Sequence, residues 1–290
     1  MDIRKYELFA DVAETGNFTK SGDRMGYTQS GVSHILKSLE NEIGFPLFIR
    51  TKQGVRLTRN AELLLPLVQS LLSANEHLTQ TINEINGVNT GSLGIAAFSS
   101  ISIHWMPKMI RRFQEAYPGI TISLMEGGTD DIVSWVMNDQ ADFGFLSRRN
   151  TKGLEWISLC EDPLMAVLPR DYEWTEEQFP LSAFQDQDFI ITAMGTDYDV
   201  RYALGTAGVT PNIKFTSKDD HAIISMIANH LGISILPGLV LRGYGEQVRA
   251  LPLNPRCSRE LGIVLKSKKG LSPAGRKFLR MAQQVALELI

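Results

Sequence analysis

Residues 28–40 read TQSGVSHILKSLE, and the spacing inside this stretch decides the architecture around it. Val32, Ile35, Leu36 and Leu39 recur at i, i+3, i+4 and i+7, which puts them on one face of an α-helix that must pack inward. Thr28 supplies a hydroxyl suited to an N-cap, and the helix is predicted to run to about Glu42. The opposite face then carries Gln29, Ser30, Ser33, His34 and Lys37. Short and amide side chains of this kind can approach base edges without heavy desolvation. Glutamine pairs bidentately with adenine, and serine donates or accepts. Lysine and the first amides of a helix suit phosphate. Taken alone, an ordinary solvent-facing helix would read the same way. The neighbouring segments tell the two apart.

Upstream, Ile3 to Glu14 has helical spacing in Leu8, Phe9, Val12 and Ala13, and Gly16 is placed to end that helix. A short second helix is expected from Thr19 to Met25, with Phe18 and Met25 facing in and Gly26-Tyr27 as the turn. Two short helices, a tight turn and a polar-faced third helix make a helix-turn-helix at residues 18–37. Downstream, LFIR and VRLT flank TKQG, which reads as a β-hairpin with glycine in its loop. Such a wing would hold Arg50, Lys52 and Arg56 against phosphates or a minor groove. Residues 1–58 are therefore expected to form a winged DNA-binding domain.

Charge is distributed to match. The whole chain carries a net −3, but residues 18–59 hold seven lysines and arginines and three acids, a net +4, which leaves −7 elsewhere. A basic module is joined to an acidic body. The five histidines are scattered without ligand spacing, and GxSxG, HExxH and phosphate-binding glycine loops are absent. No catalytic residue, metal site or cofactor is expected, so the chain does not read as an enzyme. Cys160 and Cys257 form no metal motif. They read as small buried hydrophobes, with a redox-sensing pair as the other possibility. No apolar run approaches the roughly 20 residues of a membrane span, and the N-terminus lacks the pattern of a signal peptide. Cytoplasmic location and no membrane partner are expected.

Thr58 can cap a long helix over residues 59–86. Ala61, Leu64, Val68, Leu71, Asn75, Leu78, Ile82 and Ile85 alternate spacings of three and four, which is a coiled-coil seam with one polar member. The seam implies self-association through Leu64, Val68, Leu71, Asn75, Leu78 and Ile82. Pro66 predicts a bend. Residues 87–91, GVNTG, read as a hinge, and residues 92–290 alternate strands with helices, which argues for parallel sheets with helical crossovers in two subdomains.

The stretch from Tyr6 to Leu65 resembles the DNA-binding domain of LysR-type transcriptional regulators. The matching pieces are FADVAETGNFT, TQSGVSHILKSLE, the LF-x-R start of the wing and the LT before the long helix. Gly22 and Met25 stand where the family usually has alanine and leucine, a change expected to loosen the second helix. Asn60-Ala61 replaces Ala-Gly, and His34 replaces a common glutamine, so operator preference does not transfer. Further on, SLGIAAFSS, FQEAYPGITISLMEGGT, ADFGF and LGISILPG resemble the family's effector domain. That resemblance implies two α/β lobes like those of periplasmic solute-binding proteins, joined by two crossing strands. Lobe I would take residues 92–162 and 267–290, and lobe II residues 163–266. It also implies paired linker helices, a homodimer or homotetramer, a small-molecule effector, and RNA polymerase beside double-stranded DNA among the partners.

In such sheets ligands bind beyond the carboxyl ends of strands. Ser99, Ser100 and Ser102 follow the first strand, Thr129 follows Gly127-Gly128, and Thr196 follows FIIT. These five are the expected effector contacts, suited to a carboxylate or other anion; plain helix capping is the other reading of each. A regulator with an empty or redox-tuned cleft is the close variant. A solute-binding protein or an enzyme on the same lobes is the competing class.

Overall fold

Capping residues cut the N-terminal helices to length. The computed structural model describes residues 2–52, 54–87, 89–148, 151, 153–193 and 197–289. Helix α1 (Ile3–Thr15) starts where the Asp2 carboxylate accepts the Arg4 amide, and it stops at Gly16 in the left-handed conformation. Asn17 accepts the amides of Thr19 and Lys20 and starts α2 (Phe18–Met25). The Thr28 hydroxyl accepts the Gly31 amide at 3.1 Å and starts α3 (Gln29–Ile43), as its side-chain chemistry predicts. Strands β1 (Phe48–Thr51) and β2 (Gly54–Leu57) pair antiparallel, with Phe48 opposite Leu57. The Val55 amide donates to the Gly16 carbonyl at 2.8 Å, so the wing is latched to the end of α1. Gly54 permits the approach: its φ is +131°, and a Cβ there would lie 2.4 Å from the same carbonyl oxygen.

Helix α4 (Arg59–Ile85) begins at the Thr58 cap and continues through Pro66 as one helix. Its first turns are part of the winged domain. Ala61 and Val68 are buried with Leu8, Phe9, Leu36 and Leu39, and Leu64, Leu65 and Leu72 pack against them. This changes the expected seam. Val68 is 2% exposed and has no surface left for a partner, and Leu64 is half-buried in its own domain. Leu63, Leu67, Leu78, Ile82 and Ile85 are the exposed large apolar side chains of α4, and their spacing puts them on one stripe. The physical reason is that one helix serves two interfaces, and only the stripe turned from the winged core is open.

The second half of α4 docks on the body. Gln80 is buried; its amide nitrogen donates to the Ser92 carbonyl at 2.8 Å and its oxygen accepts the Ala274 amide at 3.4 Å. Glu84 pairs with Arg276 and Lys277. The segment read as a hinge is therefore bridged by direct contacts between the elements it joins; Val88 within it lies outside the described residues.

The body follows as β3 (Gly91–Ala97), α5 (Ser99–His104), α6 (Met106–Ala116), β4 (Ile120–Glu126), α7 (Thr129–Met137), β5 (Phe143–Ser147) and β6 (Glu155–Pro169). Then come β7 (Phe179–Pro180), β8 (Asp188–Thr192), α8 (Tyr198–Thr206), β9 (Asn212–Ser217), α9 (Asp220–Ala228) and β10 (Ser234–Pro237), followed by β11 (Val248–Asn254), β12 (Ser258–Leu265) and α10 (Pro273–Leu289). Helices α5 and α6 meet at Trp105, and Pro107 lies in the first turn of α6, where its missing N–H is not needed.

The sheet is mixed rather than parallel. Its order is β4-β3-β5-β12-β6-β11-β7, with β10 also on β6; β3, β4 and β5 run parallel, β12 pairs antiparallel to β5 and β6, β10 and β11 pair antiparallel to β6, and β7 runs parallel to β11. β8 and β9 form a separate parallel pair. The cause is the fifteen-residue β6, which leaves lobe I and enters lobe II, and β12, which runs back beside it. After Arg259, β12 pairs with β5, and Leu261, Ile263 and Val264 are buried in the lobe I core. The return to lobe I thus falls near residue 260, earlier than the expected 267. Phe113, Phe143, Phe145 and Phe278 centre lobe I, and Phe179, Phe184 and Phe189 centre lobe II.

Candidate functional site

Two surfaces carry the chemistry. On the winged domain, Gln29, Ser30, His34 and Lys37 are exposed on α3, Ser33 is half-buried, and Thr28 is exposed at the cap. Lys37 lies 3.6 Å from Glu40. Glu40 itself accepts the Leu47 amide at 2.7 Å and so ties α3 to the start of the wing, a role the sequence did not single out. Arg50, Lys52 and Arg56 are all exposed on the wing, and the Arg50 guanidinium stands 5.8 Å from the centre of the Phe18 ring. That stacking holds the first wing cation against α2. Helix face and wing cations belong to one small domain with one core, so their spacing is fixed.

The second surface is the cleft between the lobes. It has two adjoining chambers, of about 540 and 610 Å³, which share Ser99, Ser100, Glu126, Lys218, Asp220 and Val240. At its floor the crossing strands bring Asp162 of β6 opposite Arg259 of β12. Both are nearly excluded from solvent, and the Arg259 Nε and Nη2 reach Asp162 Oδ2 at 2.9 and 2.8 Å. Arg259 Nη2 also donates to Ser100 Oγ at 3.1 Å, and Asp162 Oδ1 accepts the Leu239 amide at 2.9 Å. A buried pair with further hydrogen bonds, here to Ser100 and the Leu239 amide, is the arrangement that offsets the desolvation of two charges.

The expected cleft residues divide. Ser99 and Ser100 line both chambers. Ser102 and Thr129 do not line them; their hydroxyl oxygens are buried without a hydrogen-bond partner among the described residues. Thr196 lies outside the described residues. Sequence reasoning missed Arg259, Asp162, Thr192, Glu126 and Asp220. Arg259 and Asp162 could have been found as charges inside apolar strands; Thr192 carried no local signal. Burial pushes the Asp220 carboxyl up, opposed by the Arg259 charge. Burial, helped by Arg242, lowers His104, so its imidazole is neutral at neutral pH. Both cysteines are free. Burial, with Asp162 and Glu161 adding to it, pushes the Cys160 thiol up to about 11, and burial raises Cys257 as well. Neither has the lowered pKa of a reactive thiol. Among the described residues no group of His, Cys, Asp and Glu could hold a metal ion, and no helix is long and apolar enough to cross a membrane.

A winged helix-turn-helix joined to a two-lobed body with a central cleft defines a DNA-binding regulator with a ligand-binding domain. Comparison with known proteins gives the family. Residues 3–62 match the bacterial regulatory helix-turn-helix proteins of the lysR family, and residues 86–287 match the LysR substrate binding domain. The chain belongs to the LysR family of transcriptional regulators and is not an enzyme. It is 29% identical over 289 residues to the HTH-type transcriptional regulator YvbU of Bacillus subtilis, covering 98% of this chain and 99% of that one. It is 29% identical over 292 residues to the HTH-type transcriptional regulator IlvR of Caulobacter vibrioides, covering 98% of each. In fold it is similar to full-length OxyR from Pseudomonas aeruginosa, with a TM-score of 0.74 at 19% identity over 99% of this chain and 97% of that one. It is also similar to CbnR solved with its target DNA, with a TM-score of 0.69 at 19% identity over 98% of this chain and all of that one. These matches span both domains, which removes the solute-binding-protein and enzyme readings.

Proposed function

We propose that the chain reads operator DNA with Gln29, Ser30, Ser33 and His34 of α3. Thr28, Lys37, Arg50, Lys52 and Arg56 hold phosphates, and the interlobe cleft takes a small-molecule effector that biases the geometry of an oligomer. The observation that carries this reading is the exposed polar face of α3 beside three exposed wing cations on one rigid core. CbnR, similar in fold, was solved with DNA, and the similar regulatory domains of CcmR and QuiR were solved with 2-PG and shikimate. The exposed stripe Leu63, Leu67, Leu78, Ile82 and Ile85 is the surface through which two copies pair. Pairing presents two recognition helices to a two-fold site and raises avidity. The protein works in the cytoplasm, where its DNA is.

Gel shift and fluorescence anisotropy on the promoter regions flanking its gene test the DNA reading. Lys52→Ala should weaken binding on every sequence and reduce the slope of log K against log salt by about 1. Gln29→Ala should instead relax preference at one base position, by about 1–3 kcal/mol. A salt slope equal to that of the parent would remove Lys52 from the phosphate contacts.

A further inference from the structure

Helix α3 carries two acids near its C-terminal end, Glu40 and Glu42, in a module that is otherwise basic. An acid close to a phosphate-binding surface opposes binding, because phosphate contacts supply much of the affinity. Glu42 is accounted for by its ion pair with Lys5 of α1. Glu40 is placed differently. Its side chain is only 16% exposed, and its Oε1 accepts the Leu47 amide at 2.7 Å across the connection from α3 to the wing. Its Oε2 lies 3.6 Å from Lys37 Nζ, but that lysine is 70% exposed, and an open ion pair contributes little.

The bond to Leu47 is at the root of the wing. Leu47 is fully buried, so its amide has no access to water. One step beyond the Phe48–Leu57 pair, a regular antiparallel ribbon would exchange two bonds between the Leu47 and Thr58 peptides. Only one is made: the Thr58 amide donates to the Leu47 carbonyl at 2.9 Å, and the Leu47 amide turns to Glu40 instead. Thr58 Oγ1 donates to the Pro46 carbonyl at 2.8 Å and accepts the Ala61 amide at 3.2 Å as the cap of α4. The end of α3, the entry to the wing and the start of α4 therefore meet at residues 46 and 47. Phe48 packs edge-on against Phe9 and Phe18 and holds the inner face of the ribbon. Apolar contact is non-directional, whereas a hydrogen bond fixes an angle.

We infer that Glu40 is a positioning residue for DNA binding: by holding the Leu47 amide it sets Arg50, Lys52 and Arg56 at the angle from which they and the α3 face meet one duplex together. The inference rests on the reading of those three cations as phosphate contacts and adds the residue that places them. It also gives a use to an acid that charge alone would disfavour on this module.

The test is fluorescence anisotropy of the full-length protein on the promoter fragment of its own gene, across a salt series. Titration at saturating DNA counts the folded fraction, so lost fold shows as fewer binding sites and not as an altered salt slope. Glu40→Ala should weaken binding by about tenfold or more. It should also lower the slope of log K against log salt by about 2, because each phosphate contact out of reach removes about 0.9. Glu40→Gln keeps an acceptor at the same reach and should restore the parental slope. Glu40→Asp keeps the charge but is one methylene shorter; its slope should fall between the two, and it serves as the test if the alanine variant does not fold. Lys52→Ala should lower the slope less in the Glu40→Asp background than in the parent. A parental slope in both Glu40→Ala and Glu40→Asp would overturn the inference and leave Glu40 a residue of the fold alone. A Glu40→Gln slope as low as that of Glu40→Ala would overturn it too, by assigning the effect to the charge. A parental slope in Lys52→Ala would overturn the phosphate reading of the wing itself, which distinguishes the two failures.

Discussion

Gly22 shows how one residue's surroundings can reverse an expectation from its type. Helix propensity says that alanine would strengthen α2, and glycine was expected to loosen it. In the folded chain a Cβ at Gly22 would lie 2.6 Å from the Tyr27 carbonyl oxygen and 3.3 Å from Val32 Cγ2. The Tyr27 amide also donates to the Gly22 carbonyl at 2.8 Å, so α2 and the turn into α3 meet backbone to backbone. Gly22→Ala should therefore destabilise the winged domain. Overpacking costs about 1–3 kcal/mol, against a propensity gain of about 1 kcal/mol. Urea denaturation monitored by circular dichroism reads the sign directly. A more stable variant would mean that the turn can move away without cost.

At the scale of the element, α4 separates two roles that a single seam would have merged. Its N-terminal turns complete the winged core through Ala61 and Val68, its C-terminal turns are clasped to lobe I through Gln80 and Glu84, and its outer stripe is open. Asn75, read as a polar member of the seam, is half-buried and lines the groove between α4 and lobe I. Two substitutions one residue apart should then behave differently. Leu67→Glu, at a side chain 69% exposed, should leave the thermal stability of the monomer unchanged and dissociate the oligomer in light scattering. Val68→Ala should lower unfolding free energy by about 1–3 kcal/mol through the cavity it leaves, with the oligomer intact. If Leu67→Glu leaves the oligomer whole, pairing runs through another surface.

For the whole molecule, the Asp162–Arg259 pair is where the parts meet. It joins the two crossing strands, holds Ser100 of α5 and fixes the segment after β10 through the Leu239 amide. Asp162→Ala would leave a buried guanidinium unpaired, at a cost of about 3–5 kcal/mol. Replacing both partners with apolar residues of similar volume should recover most of that loss, because the burial cost goes with the charges. Comparing urea midpoints of the single and double variants separates these outcomes. Equal destabilisation in both would show that the pair acts through shape rather than charge. The same link gives the cleft a mechanical connection to the DNA end: its floor is shared by both lobes, and lobe I is clasped to α4.

The sequence by itself determined the winged domain almost to the residue. Its helices are bounded by Asp2, Asn17, Thr28 and three glycines, and caps act over a few neighbouring positions. The outward polar face of α3 followed from helical period alone, because period fixes which side chains share a surface. The family was legible for the same reason: its motifs are contiguous. What only the tertiary structure decided depends on residues distant in the chain. The mixed sheet required β12 to return beside β6, about a hundred residues away, and no local pattern states that pairing. The open stripe of α4 required knowing which side the winged core covers. The lining of the cleft required Glu126, Asp199 and Asp220, from three separate segments, to converge on one chamber. Caps and period are short-range properties written in neighbouring residues, whereas a cavity's lining is a set of side chains that only folding brings together.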